Sequence, residues 1–252
     1  MPKIPLSLQL YTVRDEAAQD FAGTLRQVAD IGYAAVELAG HGGLTPRALK
    51  SVLDDLHLSV SGSHVSLDAL EADVRQAVDD ALTLGNNYII IPSVPEERRG
   101  TADAWKQTAE TLNGIGETLQ SFNLTLCYHN HDFEMKPLDT GELGLDILLA
   151  QTDPLWVKAE IDVYWVMVAG LDPVAYVRKH TGRVPLMHIK DRNPEDGSFA
   201  EIGTGNLPLD ALVQAADDIG TRYLVVEQDI CRRPPLESVA LSYNNLKAKG
   251  YA

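Results

Sequence analysis

Cysteine is nearly missing from this chain: Cys127 and Cys231 are the two in 252 residues, far apart and without a CxxC pair. A disulfide-stapled scaffold is thereby excluded, and a reducing compartment fits. Basic residues are scarce as well. Twenty-one Lys and Arg face 36 Asp and Glu, a formal net charge of −15, so most of the surface repels polyanions. The basic fragments Arg98-Arg99 and Arg232-Arg233 are short and carry no interleaved aromatics, which argues against a nucleic-acid partner. No run approaches the roughly 18 uninterrupted apolar residues of a membrane span. The opening MPKIPLSLQL, with two prolines, one Lys and no small-residue cleavage site, does not read as a signal peptide. A cytoplasmic protein is expected. A GxGxxG fingerprint is also missing after the first apolar run, where Gln9, Tyr11, Thr12 and Arg14 stand instead, so an open dinucleotide-binding sheet is disfavoured.

What is present is a globular composition, 45% hydrophobic and 23% charged, sufficient for a sizeable core. Short β-rich runs at 6–13, 34–39, 59–66, 88–94, 124–131, 157–166, 184–192 and 223–229 alternate with helical apolar spacing. Phe21, Leu25 and Val28 mark the first helical stripe, and Leu49, Val52, Leu53 and Leu56 the second. Val74, Ala77, Val78 and Ala81 form the third, and Trp105, Ala109, Leu112 and Leu119 the fourth and longest. Shorter segments occupy 143–151, 172–180 and 209–219, and Leu236, Val239, Tyr243 and Leu246 close the chain. Thr45-Pro46 and Asp172-Pro173 read as N-caps with a first-turn proline; Gly32, Gly85 and Gly220 read as C-caps. Eight strand–helix units in about 250 residues, without a linker, predict a single-domain (β/α)8 TIM barrel over residues 1–252.

Such a barrel carries its chemistry at the carboxyl ends of its strands. Costly polar side chains cluster there in the inward phase of period two: Glu37, His64, His129 and His131, Glu160 and Asp162, His188 and Lys190, Glu227 and Asp229. A lone strand-end His or Asp is usually a solvated or capping group, but six strand ends sharing the habit point to a site. Asp162, His188 and Glu227, from three successive strands, offer mixed O/N donors suited to Mn²⁺, Mg²⁺, Co²⁺ or Zn²⁺. The competing reading is a buried ion-pair network around His188, and burying two carboxylates without a cation is expensive.

The segments QLYTVRDE, GYAAVEL, YHNHDFE, EIDVYW, HIKD, EIGTGNLPLD and VVEQD, in this order, resemble the sugar phosphate isomerase/epimerase family of the xylose-isomerase-like TIM barrels, a superfamily that includes inosose dehydratases, ketose 3-epimerases and endonuclease IV type nucleases. The resemblance covers nearly the whole chain and is weak for substrate. It implies one divalent ion held by a Glu, an Asp, a His and a Glu on strands five to eight. Asp162, His188 and Glu227 match the last three. The first departs from the pattern: His129-Asn130-His131 stands where many relatives read Glu-Asn-His, with Glu134 five residues beyond His129. Either His129 ligates directly, or Glu134 folds back as the ligand and frees His129 as an acid or base; the preference of Mn²⁺ and Mg²⁺ for carboxylates tilts the expectation to Glu134. Trp165 stands where epimerase-like relatives often carry a histidine, either as a sugar-stacking wall or as core.

The chemistry expected is proton transfer beside a carbonyl, with a divalent ion stabilising an enediolate. Glu227 or His129 would take the proton and Lys190 would polarise substrate oxygens. Glu37, His64, His131 and Trp165 would bind sugar, Glu160 would support the metal from behind, and Gly203-Thr204-Gly205 would let backbone approach substrate or form an ordinary turn. Return of the proton gives a sugar isomerase or epimerase. Loss of a leaving group gives a dehydratase or 3-keto-glycoside lyase. A non-catalytic carbohydrate-binding barrel is the rival from another class, and a metal-dependent nuclease is the weakest reading given the charge. The expected partner is a small-molecule sugar, with a homo-oligomer compatible with the resemblance.

Overall fold

The computed structural model describes residues 4–252; residues 1–3, the first part of the N-terminal segment considered above, lie outside the described residues. Eight parallel strands close into a barrel: β1 (Leu6–Gln9), β2 (Ala35–Leu38), β3 (Ser59–His64), β4 (Tyr88–Ile91), β5 (Thr125–His129), β6 (Val157–Asp162), β7 (Leu186–Ile189) and β8 (Tyr223–Val226). Closure comes from β1, which pairs with β2 on one side and with β8 on the other, Leu6 opposite Leu224 and Leu8 opposite Val226. The (β/α)8 expectation is therefore met. Helices cover the outside: α1 (Arg14–Gln19) and α2 (Phe21–Ile31), α3 (Pro46–Asp55), α4 (Leu67–Leu84), α5 (Ala102–Gln120), α6 (Gly144–Gln151), α7 (Val163–Val168) and α8 (Pro173–Lys179), α9 (Leu209–Ile219) and α10 (Pro235–Ala248).

The caps read from sequence hold. Thr45 and Asp172 accept hydrogen bonds from the first turns of α3 and α8, and Gly85 and Gly220 end α4 and α9 in the left-handed conformation that glycine adopts without a Cβ clash. Each expected strand ends one to four residues earlier than its apolar run, because the chain leaves the ladder at the barrel rim. The difference at 157–166 has an identifiable cause. The β-branched and aromatic run after Asp162 has strand propensity, yet Asp162 Oδ1 accepts from the backbone N–H groups of Tyr164 and Trp165. That N-cap starts α7 and turns the segment outward.

Outward-facing strand residues such as Leu8, Val36, Ile89, Leu126, Tyr128 and Ile161 pack with the helices in one continuous core; each fully buried aliphatic side chain contributes about 1.5–3 kcal/mol. The barrel bore holds a separate small cluster of Ile90, Cys127 and Leu186, with Tyr88 and Tyr223 against it. One inward step above lies the polar layer. The register sets it: Glu160 is level with Leu186 and with His129, Asp162 with His188, and Gln9 with Glu37. A bulge in β3 opposite Val36 and Glu37 brings Gly62 level with Glu37. A Cβ there would lie 2.3 Å from Ile90 Cδ1 and 3.1 Å from Glu37 Oε2, so only glycine leaves room for both.

Candidate metal centre

At the carboxyl end of the bore, His129, Asp162, His188 and Glu227 present one donor atom each, all within 4.8 Å of one another, and all four side chains are buried. Strand pairing places them, since each is the last or next-to-last inward residue of β5, β6, β7 or the end of β8. Behind them stand two fully buried carboxylates. Glu160 Oε2 lies 3.1 Å from His129 Nδ1 and 3.2 Å from His188 Nε2. Glu37 Oε1 lies 2.7 Å from His188 Nε2 and accepts from Gln9 Nε2 at 2.7 Å. His64 Nε2 bridges the two carboxylates, 3.0 Å from Glu37 and 3.3 Å from Glu160. This is the arrangement by which a carboxylate fixes the orientation and tautomer of a metal-ligating imidazole.

The charges of the layer are unequal. Burial and the neighbouring imidazole and Lys190 charges push His129 well below its usual range, so it is neutral, the form that ligates metals. Burial opposes charge on His188 too, but Glu160 and Glu37 outweigh it and hold its pKa well up. Against burial, the same two carboxylates raise His64 to about 9. Burial lifts Asp162 to about 6 although Lys190 and His188 oppose it, and its Oδ2 is buried with no hydrogen-bond partner. For Glu227, burial is outweighed by Lys190 and His188, which hold the carboxyl ionised. Two imidazoles and two carboxylates, one of them with an unbonded buried oxygen, form a donor set that can hold a divalent ion.

Above the layer opens a cavity of about 500 Å³ lined by Tyr11, Arg14, Ala39, His64, Pro92, Ser93, His129, His131, Lys190, Glu227, Asp229 and Ile230, large enough for a sugar-sized ligand. Lys190 is buried, with Nζ close to Asp162, Glu227 and Asp229. His131 stacks on Phe133 with ring centroids 5.6 Å apart and keeps an unpartnered Nδ1; burial lowers its pKa to about 4. Trp165 stands beside the mouth, edge-on to Phe199 at 5.9 Å, its indole N–H unpartnered.

Most of the residues expected at the site converge there, but two placements differ. Glu134 is not brought to the cluster: its carboxylate is buried beneath Tyr128, accepting from the Tyr128 hydroxyl at 2.7 Å and the His131 N–H at 2.8 Å. A one-turn 3₁₀ helix, Phe133–Met135, directs it away from the bore, and His129 takes the fourth place. Glu37, expected to bind sugar hydroxyls, is fully buried behind His188. Three contributors carried no assigned role in the sequence reading. Gln9 bonds Glu37, and Asn130 ties the backbone of Asp162 at both its N–H and C=O. The third is buried Asp191, which accepts from the N–H groups of Gly203, Gly205 and Leu207. The 203–205 loop is thus wrapped around a carboxylate. The inward phase of Gln9 and the polar character of Asp191 in an apolar run were the available signals.

Comparison with known proteins fits this architecture. The family profile described as "Xylose isomerase-like TIM barrel" matches residues 25–247. The chain belongs to that family. Within the xylose isomerase-like barrels it is similar to the inosose dehydratase of Salmonella agona, 29% identical over 197 residues, or 68% of this chain and 62% of that protein. The chain matches 55–62% of the length of the curated relatives compared. A sugar phosphate isomerase/epimerase from Parabacteroides distasonis superposes with a TM-score of 0.86 at 26% identity, covering 100% of this chain and 96% of the other. An IOLI protein solved with a bound zinc atom shares the fold, with a TM-score of 0.77 at 12% identity over 98% and 99% of the two chains. Among the described residues no helix is long and apolar enough to cross a membrane.

Proposed function

We propose that this chain is a divalent-metal-dependent lyase that dehydrates a cyclic keto-sugar of the inosose class, with Mn²⁺, Mg²⁺, Co²⁺ or Zn²⁺ held by His129, Asp162, His188 and Glu227. The observation that carries the reading is the four-donor cluster beneath a sugar-sized mouth; the likeness to inosose dehydratases supports the substrate class. The ion supplies Lewis-acid polarisation of a ketone and stabilises the enolate charge.

The chain's own residues supply the proton transfers. Glu227 is ionised and lines the cavity, so it takes the proton α to the ketone. Lys190 is protonated and lines the same cavity, and it gives a proton to the β-hydroxyl, which leaves as water while the C=C bond forms. Both groups line one cavity, so after product leaves the proton taken by Glu227 passes through solvent there to the amine and both groups are reset. His131 lines one side and holds hydroxyls, and Trp165, with its ring centroid 5.9 Å from that of His131, offers a face to the sugar beside it. Proton return to the same carbon would instead give epimerisation or isomerisation, the reading that the P. distasonis likeness favours.

Incubation of metal-loaded protein with cyclic keto-sugars in D₂O, followed by NMR, separates these outcomes. A vinylic product signals dehydration, and deuterium at the α-carbon without loss of water signals epimerisation. A protein that binds no divalent ion, with a chelator-insensitive reaction and an unaffected Asp162→Asn variant, would overturn the proposal.

A further inference from the structure

Lys190 sits where a metal would place its own charge. Its side chain is 1% exposed, on the inward phase of β7 two residues beyond His188. Nζ donates hydrogen bonds to both oxygens of Asp229, at 3.0 and 3.3 Å. It also lies 2.9 Å from Asp162 Oδ2 and 2.6 Å from Glu227 Oε2. The contact to Asp162 is one of charge alone, because that oxygen has no hydrogen bond. Asp162 and Glu227 are two of the four donors of the metal cluster. An ammonium and a divalent ion cannot both hold the same two oxygens, since like charges at contact distance in a buried site repel strongly.

Asp229 resolves the conflict. It follows Glu227 in the inward phase, its side chain is 24% exposed at the mouth, and it is not one of the four clustered donors. We propose that Lys190 is the resident counter-ion of the metal-free centre and that Asp229 is a positioning residue, which holds the ammonium aside when a divalent ion takes Asp162 and Glu227. This rests on the reading that the cluster holds a metal. Metal loading and the placement of Lys190 toward the substrate cavity are then a single event: the ammonium, freed from the two ligands, stays hydrogen-bonded to Asp229 on the cavity wall.

The test is titration of chelator-stripped full-length protein with Zn²⁺ and with Mn²⁺ by calorimetry, on four forms: wild type, Lys190→Met, Asp229→Asn and the double variant. Lys190→Met removes the competing cation and is expected to tighten binding about 10-fold, whereas Asp229→Asn removes the ammonium's alternative partner and weakens it about 10-fold. In the double variant the Asp229→Asn effect disappears, because no ammonium remains to be held. Metal-free Lys190→Met is also expected to melt below wild type and to recover on adding the ion, as three acids lose their shared cation. Asp229→Asn is at the partly exposed mouth and keeps both buried partners of Lys190, Asp162 and Glu227, so it tests half of the proposal independently. Weakening by both variants, or an Asp229→Asn effect of the same size without Lys190, would overturn it. Failure of wild type to bind either ion would overturn the metal reading instead, a distinguishable result.

Discussion

Replacing Glu160 by Gln tests whether the buried carboxylates orient the metal-binding imidazoles. Glu160 Oε2 contacts three imidazoles, His129 at 3.1 Å, His188 at 3.2 Å and His64 at 3.3 Å. At an effective dielectric of 20, a unit charge pair at the 3.2 Å that separates Glu160 from the protonated His188 interacts by about 5 kcal/mol. Burying the carboxylate opposes this: burial, aided by the charge of Glu37, raises the pKa of Glu160. What survives in metal affinity is the orienting effect, roughly 10- to 100-fold or about 1.4–2.8 kcal/mol. Gln keeps the shape and one acceptor but loses the charge, so Glu160→Gln is expected to lower affinity for Zn²⁺ or Mn²⁺ within that range. Competition against a chromophoric chelator measures it, with far-UV circular dichroism and a cooperative melt as fold controls. Affinity within threefold of wild type in a folded variant would refute the orienting role.

Three further outcomes follow from the same geometry. His129→Ala is expected to weaken metal binding by at least 100-fold while Glu134→Gln changes it less than threefold; the reverse order, read by the same competition, would reinstate Glu134 as the ligand. Glu134 bears on stability instead. Burial raises its carboxyl from 4.5 to about 7, so between those values the folded state binds more protons than the unfolded one and stability falls as pH rises. At 1.36 kcal/mol per pH unit the full loss is on the order of 3 kcal/mol above pH 7. Glu134→Gln cannot ionise and should lack that slope in urea melts at pH 5 and pH 8. Gly62→Ala would place a Cβ against Ile90 and Glu37, and overpacking of this kind costs about 1–3 kcal/mol; an unchanged melting temperature would show that β3 yields there.

The barrel was readable because period two and strand ends are properties of the chain itself. Once 157–162 is a strand, Glu160 and Asp162 must point inward together, and the same holds for His188 with Lys190. The fate of Glu134 was not readable, since it lies past the last ladder bond of β5, where no period fixes a direction. Its orientation is decided by Tyr128, which faces the helices and supplies a hydroxyl to it. The helix at 163–168 was hidden for a related reason: its residues favour a strand, and the deciding contact is the cap from Asp162, a side chain that the sequence reading had assigned to metal alone. Asp162 caps the helix through Oδ1 while its Oδ2 faces His129 and Lys190.

The small apolar cluster of Ile90, Cys127 and Leu186 has a consequence for exchange with solvent. It fills the bore below Glu37 and Glu160, so the centre is approached from the mouth above. Water, ions and protons that reach the imidazoles enter and leave past His64, Lys190 and Asp229. The rate at which solvent isotope appears in a product therefore reports on the traffic across that threshold, and a bound sugar that covers it would shield the proton in transit from exchange.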